Sequence, residues 1–385
     1  MIINNKKVKS AIFYKSEFMA YFFIVIISIL LSSHFFVYYV LTILFWVTKY
    51  KLILLIIFVI LALSFIKTSV LIHEVNNSFT RFFYYLSSVW LWILSNLFFT
   101  LILVSIILWI TKILHIIPNL KLLWILSIIF SISLALYWVY NANNIVVKQE
   151  NIKIKNIPES WKKKKVIFLS DIHLWAIIRE NFLKKIVNTI NKEKPDIVLI
   201  WWDLFDWTDW SLDHLSDYLN DINTKNWVYY INWNHETYLW LNLVDKLLKK
   251  TNIKNLKDEI ISIDWVQIIW IDYIDERDSK SDIQKTLDKI IKSWFDKDIP
   301  SILLYHAPIF TEEFKNLWVN LQLSWHTHKW QMFPYWYITN IMYKQKDYWL
   351  YKNKNYNLYT SNWVWTWWPP MRIGNNPEIV VLKFN

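Results

Sequence analysis

Apolar positions are distributed in two different ways along the chain. Up to about Asn141, Ile, Leu, Phe, Val and Trp dominate and charges are sparse, whereas beyond Val147 Lys and Asp are frequent and apolar residues come in short runs. A helix needs about 20 mainly apolar residues to cross a bilayer. Four stretches answer to that pattern: Phe18 to Trp46, Leu52 to Ile66 with a possible continuation to Ile72, Phe83 to Ile110, and Leu122 to Tyr140. They predict an all-α transmembrane bundle rather than the buried helices of a soluble protein. The first and third are longer than the hydrocarbon core and are expected to tilt or to extend into the interface. The first run is also too long for a cleaved signal peptide, and no small-residue cleavage site follows it.

From Val166 onward the pattern changes to β-branched runs alternating with helical segments: VIFLS, DIVLI, VYYIN, VQIIWI, SILLYH, NLYTS and EIVVLKF. This alternation predicts an α/β fold with largely buried strands. Polar residues gather where these runs end, which is where open α/β sheets place their sites. The expected organisation is therefore an anchor of about four helices over residues 1–147, a basic linker over 148–165 and a soluble domain over 166–385.

Charge adds an orientation. The chain carries 42 Lys and Arg against 31 Asp and Glu, a net charge of +11. Lys6, Lys7, Lys9 and the run Lys162 to Lys165 flank the apolar segments, so anionic lipid headgroups account for them at least as well as nucleic acid does. With the N-terminus inside, Lys6, Lys7, Lys9, Lys15, Lys67, Arg81 and the lysines after Tyr140 fall on the inner side. Lys49, Lys51, Lys112 and Lys121 fall outside. The positive-inside rule then puts the soluble domain in the cytoplasm. His34 and Lys67 are the intramembrane polar candidates, and without a chain of acidic residues they read as parts of an anchor, not of an ion pathway. Cysteine is absent, which excludes disulfides and thiolate ligands and leaves any metal to His, Asn and carboxylates.

Five short constellations carry the chemistry: Ser170-Asp171-Ile172-His173, Trp202-Asp203-Leu204-Phe205-Asp206, Trp233-Asn234-His235-Glu236, His306 within Tyr305-His306-Ala307-Pro308, and Trp325-His326-Thr327-His328. Singly, each has a plain structural reading as a turn Asp, a capping Asn or a core His. Together, in this order and at these strand ends, they resemble the calcineurin-like metallophosphoesterase family, whose signature is DxH, GDxxD, GNH(D/E), H and GHxH. The resemblance covers about residues 164 to 385. The tail from Ser361 to Ile379 is similar to the membrane-associated branch, which has a Gly-x-Gly-Thr-Trp-Gly-Pro-Pro stretch followed by Arg-x-Gly.

The departures from the signature are systematic. Trp202, Trp233 and Trp325 stand where the family has glycine, and Trp175, Trp207 and Trp330 fit the same substitution. In the tail, Trp363, Trp365 and Trp368 would be glycines and Trp367 a true tryptophan. Composition points the same way: the chain has 27 Trp and 1 Gly, where ordinary usage would give roughly 27 Gly. Most of the tryptophans are thus expected to be glycines, encoded by a UGA codon that the source organism reads as glycine. The alternative is a genuinely Trp-rich protein.

The resemblance implies a sandwich of two mixed β-sheets flanked by helices, and a pair of divalent ions that clamps a phosphate and acidifies a bridging water. It assigns Asp171, His173 and His328 to one metal and Asn234, His306 and His326 to the other. Asp203 would bridge them, and His235 would protonate the leaving oxygen or stabilise the transition state. A sulfur-free N/O ligand set suits Mn, Fe or Zn. Lys329, where relatives often have glycine, is either a cation that attracts an anionic substrate or a solvated loop residue. The implied function is a membrane-anchored, dinuclear hydrolase of phosphomonoesters, phosphodiesters or pyrophosphates, lipid-linked ones included. The expected partners are the bilayer of the cell membrane and a phosphorylated small-molecule or lipid substrate. A catalytically silent membrane scaffold or sensor, or a nuclease, are the alternatives, although no interleaved basic and aromatic patch for nucleic acid survives if the tryptophans are glycines.

Overall fold

A computed structural model describes residues 5–44, 48–170, 172, 180–201, 213–231, 246, 248–256, 259–270, 287–288, 295–327, 329, 336–364 and 371–385. The chain forms two compact units, Met1–Tyr137 and Trp138–Asn385.

The first unit is helical: α1 (Asn5–Leu44), α2 (Lys51–Glu74), α3 (Ser78–Ile113) and the larger part of α4 (Leu120–Asn143). Each of the four contains a segment long and apolar enough to cross a membrane. The turn between α2 and α3 is set by a reciprocal cap. The Asn77 side chain accepts from Thr80 N at 3.0 Å, and the Thr80 hydroxyl accepts from Asn77 N at 3.1 Å, which satisfies two of the helix's orphan donors. Val37, Leu41, Phe58, Leu94, Leu97 and Leu101 pack inside the bundle, while Ile24, Leu52, Phe79, Phe99 and Trp109 are 58 to 69% exposed. So many exposed apolar side chains fit a hydrocarbon surrounding and not water. His34 is buried and fully engaged: Trp90 Nε1–H donates to its Nε2 at 3.0 Å, leaving Nδ1 to donate to Leu30 O at 2.8 Å. Lys67 is exposed on α2.

The second unit is a β-sandwich of two six-stranded mixed sheets, in agreement with the α/β expectation. One sheet has the order β1-β12-β2-β3-β4-β5, with β1 (Val146–Ile152), β2 (Val166–Ser170), β3 (Ile197–Trp201), β4 (Val228–Ile231), β5 (Ile253–Leu256) and β12 (Glu378–Phe384). The other has the order β10-β11-β9-β8-β7-β6, with β6 (Ile260–Ile263), β7 (Val266–Trp270), β8 (Ser301–Leu304), β9 (Leu321–Ser324), β10 (Trp349–Asn353) and β11 (Tyr356–Thr360). In the first sheet β2 to β5 run parallel and β12 is antiparallel to β2; in the second β7, β8, β9 and β11 run parallel.

Side-chain alternation builds the layers. Val166 and Phe168 of β2, Ile197 and Leu199 of β3, and Val380 and Leu382 of β12 point inward. They meet Ile302 and Leu304 of β8, Leu321 and Leu323 of β9, and Tyr359 of β11 in one core. Burying a side chain of this size stabilises by about 1.5–3 kcal/mol. The alternate residues Leu303 and Leu358 face outward onto Phe314, which lies on α8 (Thr311–Asn316). The remaining described helices are α5 (Glu159–Lys162), α6 (Glu180–Glu193), α7 (Asp213–Leu219) and α9 (Trp336–Met342). Phe182, Leu183, Ile186, Val187 and Ile190 of α6 fall at helical spacing and are buried, so one face of an otherwise charged helix docks.

Among the described residues, thirteen non-glycine residues have positive φ, and four are tryptophans: Trp265 (63°), Trp318 (66°), Trp349 (71°) and Trp363 (70°). Gly374 has φ 80°. Left-handed backbone is ordinary for glycine and an outlier for a bulky residue.

Candidate active site

Parallel strands bring their C-terminal ends to one edge of a sheet, and two such edges meet here. β2, β3 and β4 are neighbours in the first sheet, and the motif residues Asp171, Asp203 and Asn234 follow their last residues in sequence. β8 and β9 are neighbours in the second sheet, and His306 and His326 each follow two residues after the strand end. The segment Ser361–Val364 joins the edges. Ser361 N donates to Ser324 O at 2.8 Å, at the end of β9, and Val364 N donates to Ser170 O at 3.2 Å, at the end of β2.

Of the eight residues assigned from sequence, His306 and His326 are described; Asp171, His173, Asp203, Asn234, His235 and His328 lie outside the described residues. The two described histidines come together. Their ring centroids are 4.2 Å apart and inclined by 51°, and the backbone holds them there, since Trp325 N and His326 N both donate to His306 O, at 3.0 and 3.3 Å. Burial pushes the His326 imidazole down to about 4, so at neutral pH its ring carries no charge and keeps a nitrogen lone pair. A neutral imidazole beside a second histidine is a donor set suited to Mn, Fe or Zn, and this fits the metal implied by the motifs. Among the described residues alone there is no group of three or more His, Cys, Asp or Glu that could hold a metal.

Trp325 is wholly buried, packed edge-to-face against His306 at 5.3 Å and Phe168 at 6.3 Å. Its φ is not among the positive ones, so position 325 lacks the left-handed backbone that would by itself demand glycine. Position 363 has that backbone and is also fully buried. Lys329 has a left-handed φ of 41°. It is not a solvated loop lysine: its ammonium lies over the rings of Tyr348 at 4.1 Å and Trp336 at 4.5 Å. Burial lowers its pKa, against the attraction of Asp347 and Glu378.

A buried polar network supports this edge, and the sequence reading assigned roles to none of its members. Glu378, 4% exposed, accepts from the hydroxyls of Tyr348 and Tyr359 at 3.1 Å each and from Asn362 N at 2.9 Å. Burial, with the Glu378 carboxylate next, drives both phenols well above their ordinary pKa. Arg372, wholly buried, donates to the Asn362 carbonyl, to Asn362 Oδ1 at 3.2 Å and to Trp363 O at 3.2 Å. The Arg-x-Gly tail match was the available signal. Asn141, near the end of α4, donates to Arg372 O at 3.1 Å and Asn375 O at 2.7 Å. Thr327, between the two histidines of its motif, donates to Asp347 O.

No family model matches the chain. It is 30% identical over 269 residues to an uncharacterised metallophosphoesterase of Campylobacter jejuni, covering 67% of this chain and 70% of that one. It is 27% identical over 281 residues to a transmembrane protein with metallophosphoesterase domain of Danio rerio, 67% of this chain and 62% of that one. An uncharacterised metallophosphoesterase of Helicobacter pylori strain J99 is 27% identical over 225 residues, 58% of this chain and 60% of its own length. The chain thus spans about six tenths of the length of the last two. The ordered motifs and these relatives agree: the chain belongs to the calcineurin-like metallophosphoesterase family, in its membrane-associated branch, and is a phosphoesterase hydrolase of a family that uses divalent metal ions.

Proposed function

We propose that the protein is a membrane-anchored hydrolase of phosphomonoesters, phosphodiesters or pyrophosphates, lipid-linked substrates among them, working with two divalent ions drawn from Mn, Fe and Zn. Residues 1–147 serve as the anchor and residues 166–385 as the catalytic domain, on the cytoplasmic side of the cell membrane. The observation that carries this reading is the pair formed by buried His306 and partly buried His326, whose ring centroids lie 4.2 Å apart just beyond the ends of adjacent parallel strands. Asp171, His173 and His328 would hold one ion and Asn234, His306 and His326 the other, with Asp203 shared between them. Two such ions supply charge neutralisation on the phosphate and a water acidic enough to attack at neutral pH. His235 delivers a proton to the departing oxygen, a role suited to an imidazole with an ordinary pKa near 6.5.

Most of the tryptophans, on the same proposal, stand where the native protein carries glycine from a reassigned UGA codon. Backbone at φ 63–71° under four of them supports this reading.

The test is hydrolysis of bis(p-nitrophenyl) phosphate by native protein stripped with a chelator and then reloaded with Mn. Turnover should return with metal and be absent in Asp203→Asn. Metal-loaded protein inert toward monoester, diester and lipid pyrophosphate alike overturns the reading.

A further inference from the structure

The strand ends opposite the histidines enclose a cleft of about 430 Å³. It opens where β8 and β9 begin, between the turn after β1, the β10–β11 turn and the segments that precede Ser301 and Leu321. Ser301 and His306 are five residues apart along β8 and its extension, which puts roughly 15 Å between the cleft and the histidine pair.

Four lysines line this cleft, Lys155, Lys297, Lys315 and Lys354, against one carboxylate, Asp298. Elsewhere on this end of the sandwich several lysines, though not Lys163, are matched with acids: Lys162 with Glu159, Lys164 with Asp264 at 3.0 Å, Lys165 with Glu193 at 3.7 Å and Lys225 with Asp196 at 3.0 Å. In the cleft only Lys315 is matched, with Glu312 at 2.9 Å. Among the described residues, Lys155, Lys297 and Lys354 form no ion pair. Like charges gathered in a concavity repel one another and focus a positive potential that an anion would relieve. Asn156 and Lys354 have φ 61° and 57°, and turns of this kind direct backbone N–H groups into one concavity. A cleft of this volume is the size of a small-molecule site. Ammonium groups on flexible stems bind phosphate as point charges. Trp318 also lines the cleft, at a left-handed φ of 66°; glycine there would widen it.

We propose that this cleft is a second anion site, separate from the catalytic edge, which binds a small polyanion bearing phosphate groups through Lys155, Lys297 and Lys354. It does not depend on the hydrolase reading, because no catalytic candidate lines it.

Calorimetric titration of the full-length protein in detergent, kept in excess chelator so that the catalytic edge holds no metal, tests the site with inorganic pyrophosphate. A parallel titration with phosphatidic acid vesicles distinguishes a lipid-borne phosphate from a soluble one. Saturable binding of either probe should weaken at least tenfold in the Lys297→Glu/Lys354→Glu pair and stay within twofold in His306→Ala. Lys163→Glu, at the same end but outside the cleft, should also stay within twofold. No binding of either probe, equal binding by the paired variant, or equal loss in Lys163→Glu overturns the proposal. Abolition by His306→Ala would assign the anion to the catalytic edge and overturn it as well.

Discussion

The backbone N–H of Val364 donates to the carbonyl of Ser170 at 3.2 Å, and that single bond ties the end of a central strand of one sheet to a loop leaving the other. Ser170 immediately precedes Asp171, so the loop helps to fix where the first metal motif begins. The loop is held in turn by Arg372, whose guanidinium donates to Asn362 and Trp363. Replacing Arg372 with Met should remove the guanidinium donors of the Asn362 carbonyl and Oδ1, while Trp363 O keeps its bond from Glu378 N, and cost on the order of 3 kcal/mol. For a soluble domain of this size the transition should fall by roughly 6–12 °C. Thermal unfolding of the detergent-solubilised variant decides it, and an unchanged transition would show that the grip is dispensable.

The paired histidines lead to a separation of roles. His306→Ala and His326→Ala should each lower the metal content measured by elemental mass spectrometry. His235→Ala should keep its metal and lose about 10²–10⁴-fold in turnover, as expected for a proton donor. Loss of metal in His235→Ala equal to that in His306→Ala would make its role structural.

Much of this architecture is legible in the residues, for reasons that differ between the halves. The four apolar segments are found because lipid-facing helices are apolar all round, and length alone then identifies them. The strands VIFLS and EIVVLKF stand out because both their faces are covered, which leaves an uninterrupted apolar run. β1 falls largely within the expected linker because VVKQENI is an edge strand, with Gln149 and Asn151 exposed and Lys148 and Glu150 only partly covered. β5, β6, β9 and β10 are four or five residues long and broken by polar side chains, too short for a period to show. The order of the metal motifs is visible because metal ligation demands particular residue types at strand ends. The Glu378 and Arg372 network is not, since a buried ion looks like any surface ion until the fold encloses it.

Topology follows from charge asymmetry and from an even number of spans. The chain has no cysteine, so one introduced at Lys163 is a unique label. A membrane-impermeant maleimide should react with it only after cells are permeabilised. Reaction in intact cells would place the catalytic domain on the outer face and reverse the assignment drawn from the basic flanks.

The tryptophans can be separated by what surrounds them. Trp265 and Trp318 combine a left-handed φ with side chains 75% and 60% exposed. The indole there gains little from burial while the backbone bears about 1–2 kcal/mol of strain per residue. Glycine at either position should stabilise the chain as written by about 1 kcal/mol, after the added freedom that glycine gives the unfolded state. Trp363 has the same backbone but is wholly buried. Glycine at 363 alone should therefore destabilise the chain as written, because a cavity replaces the indole. In native protein all three positions, together with 202, 233 and 325, are expected to be glycine already, with neighbours packed to suit. Peptide mass spectrometry of protein from its natural source reads this directly, since each glycine lowers a peptide's mass by the difference between the two residues. Tryptophan at 265, 318 and 363 in those peptides would end the reassigned-codon reading. The left-handed backbone would then be strain that the native fold sustains.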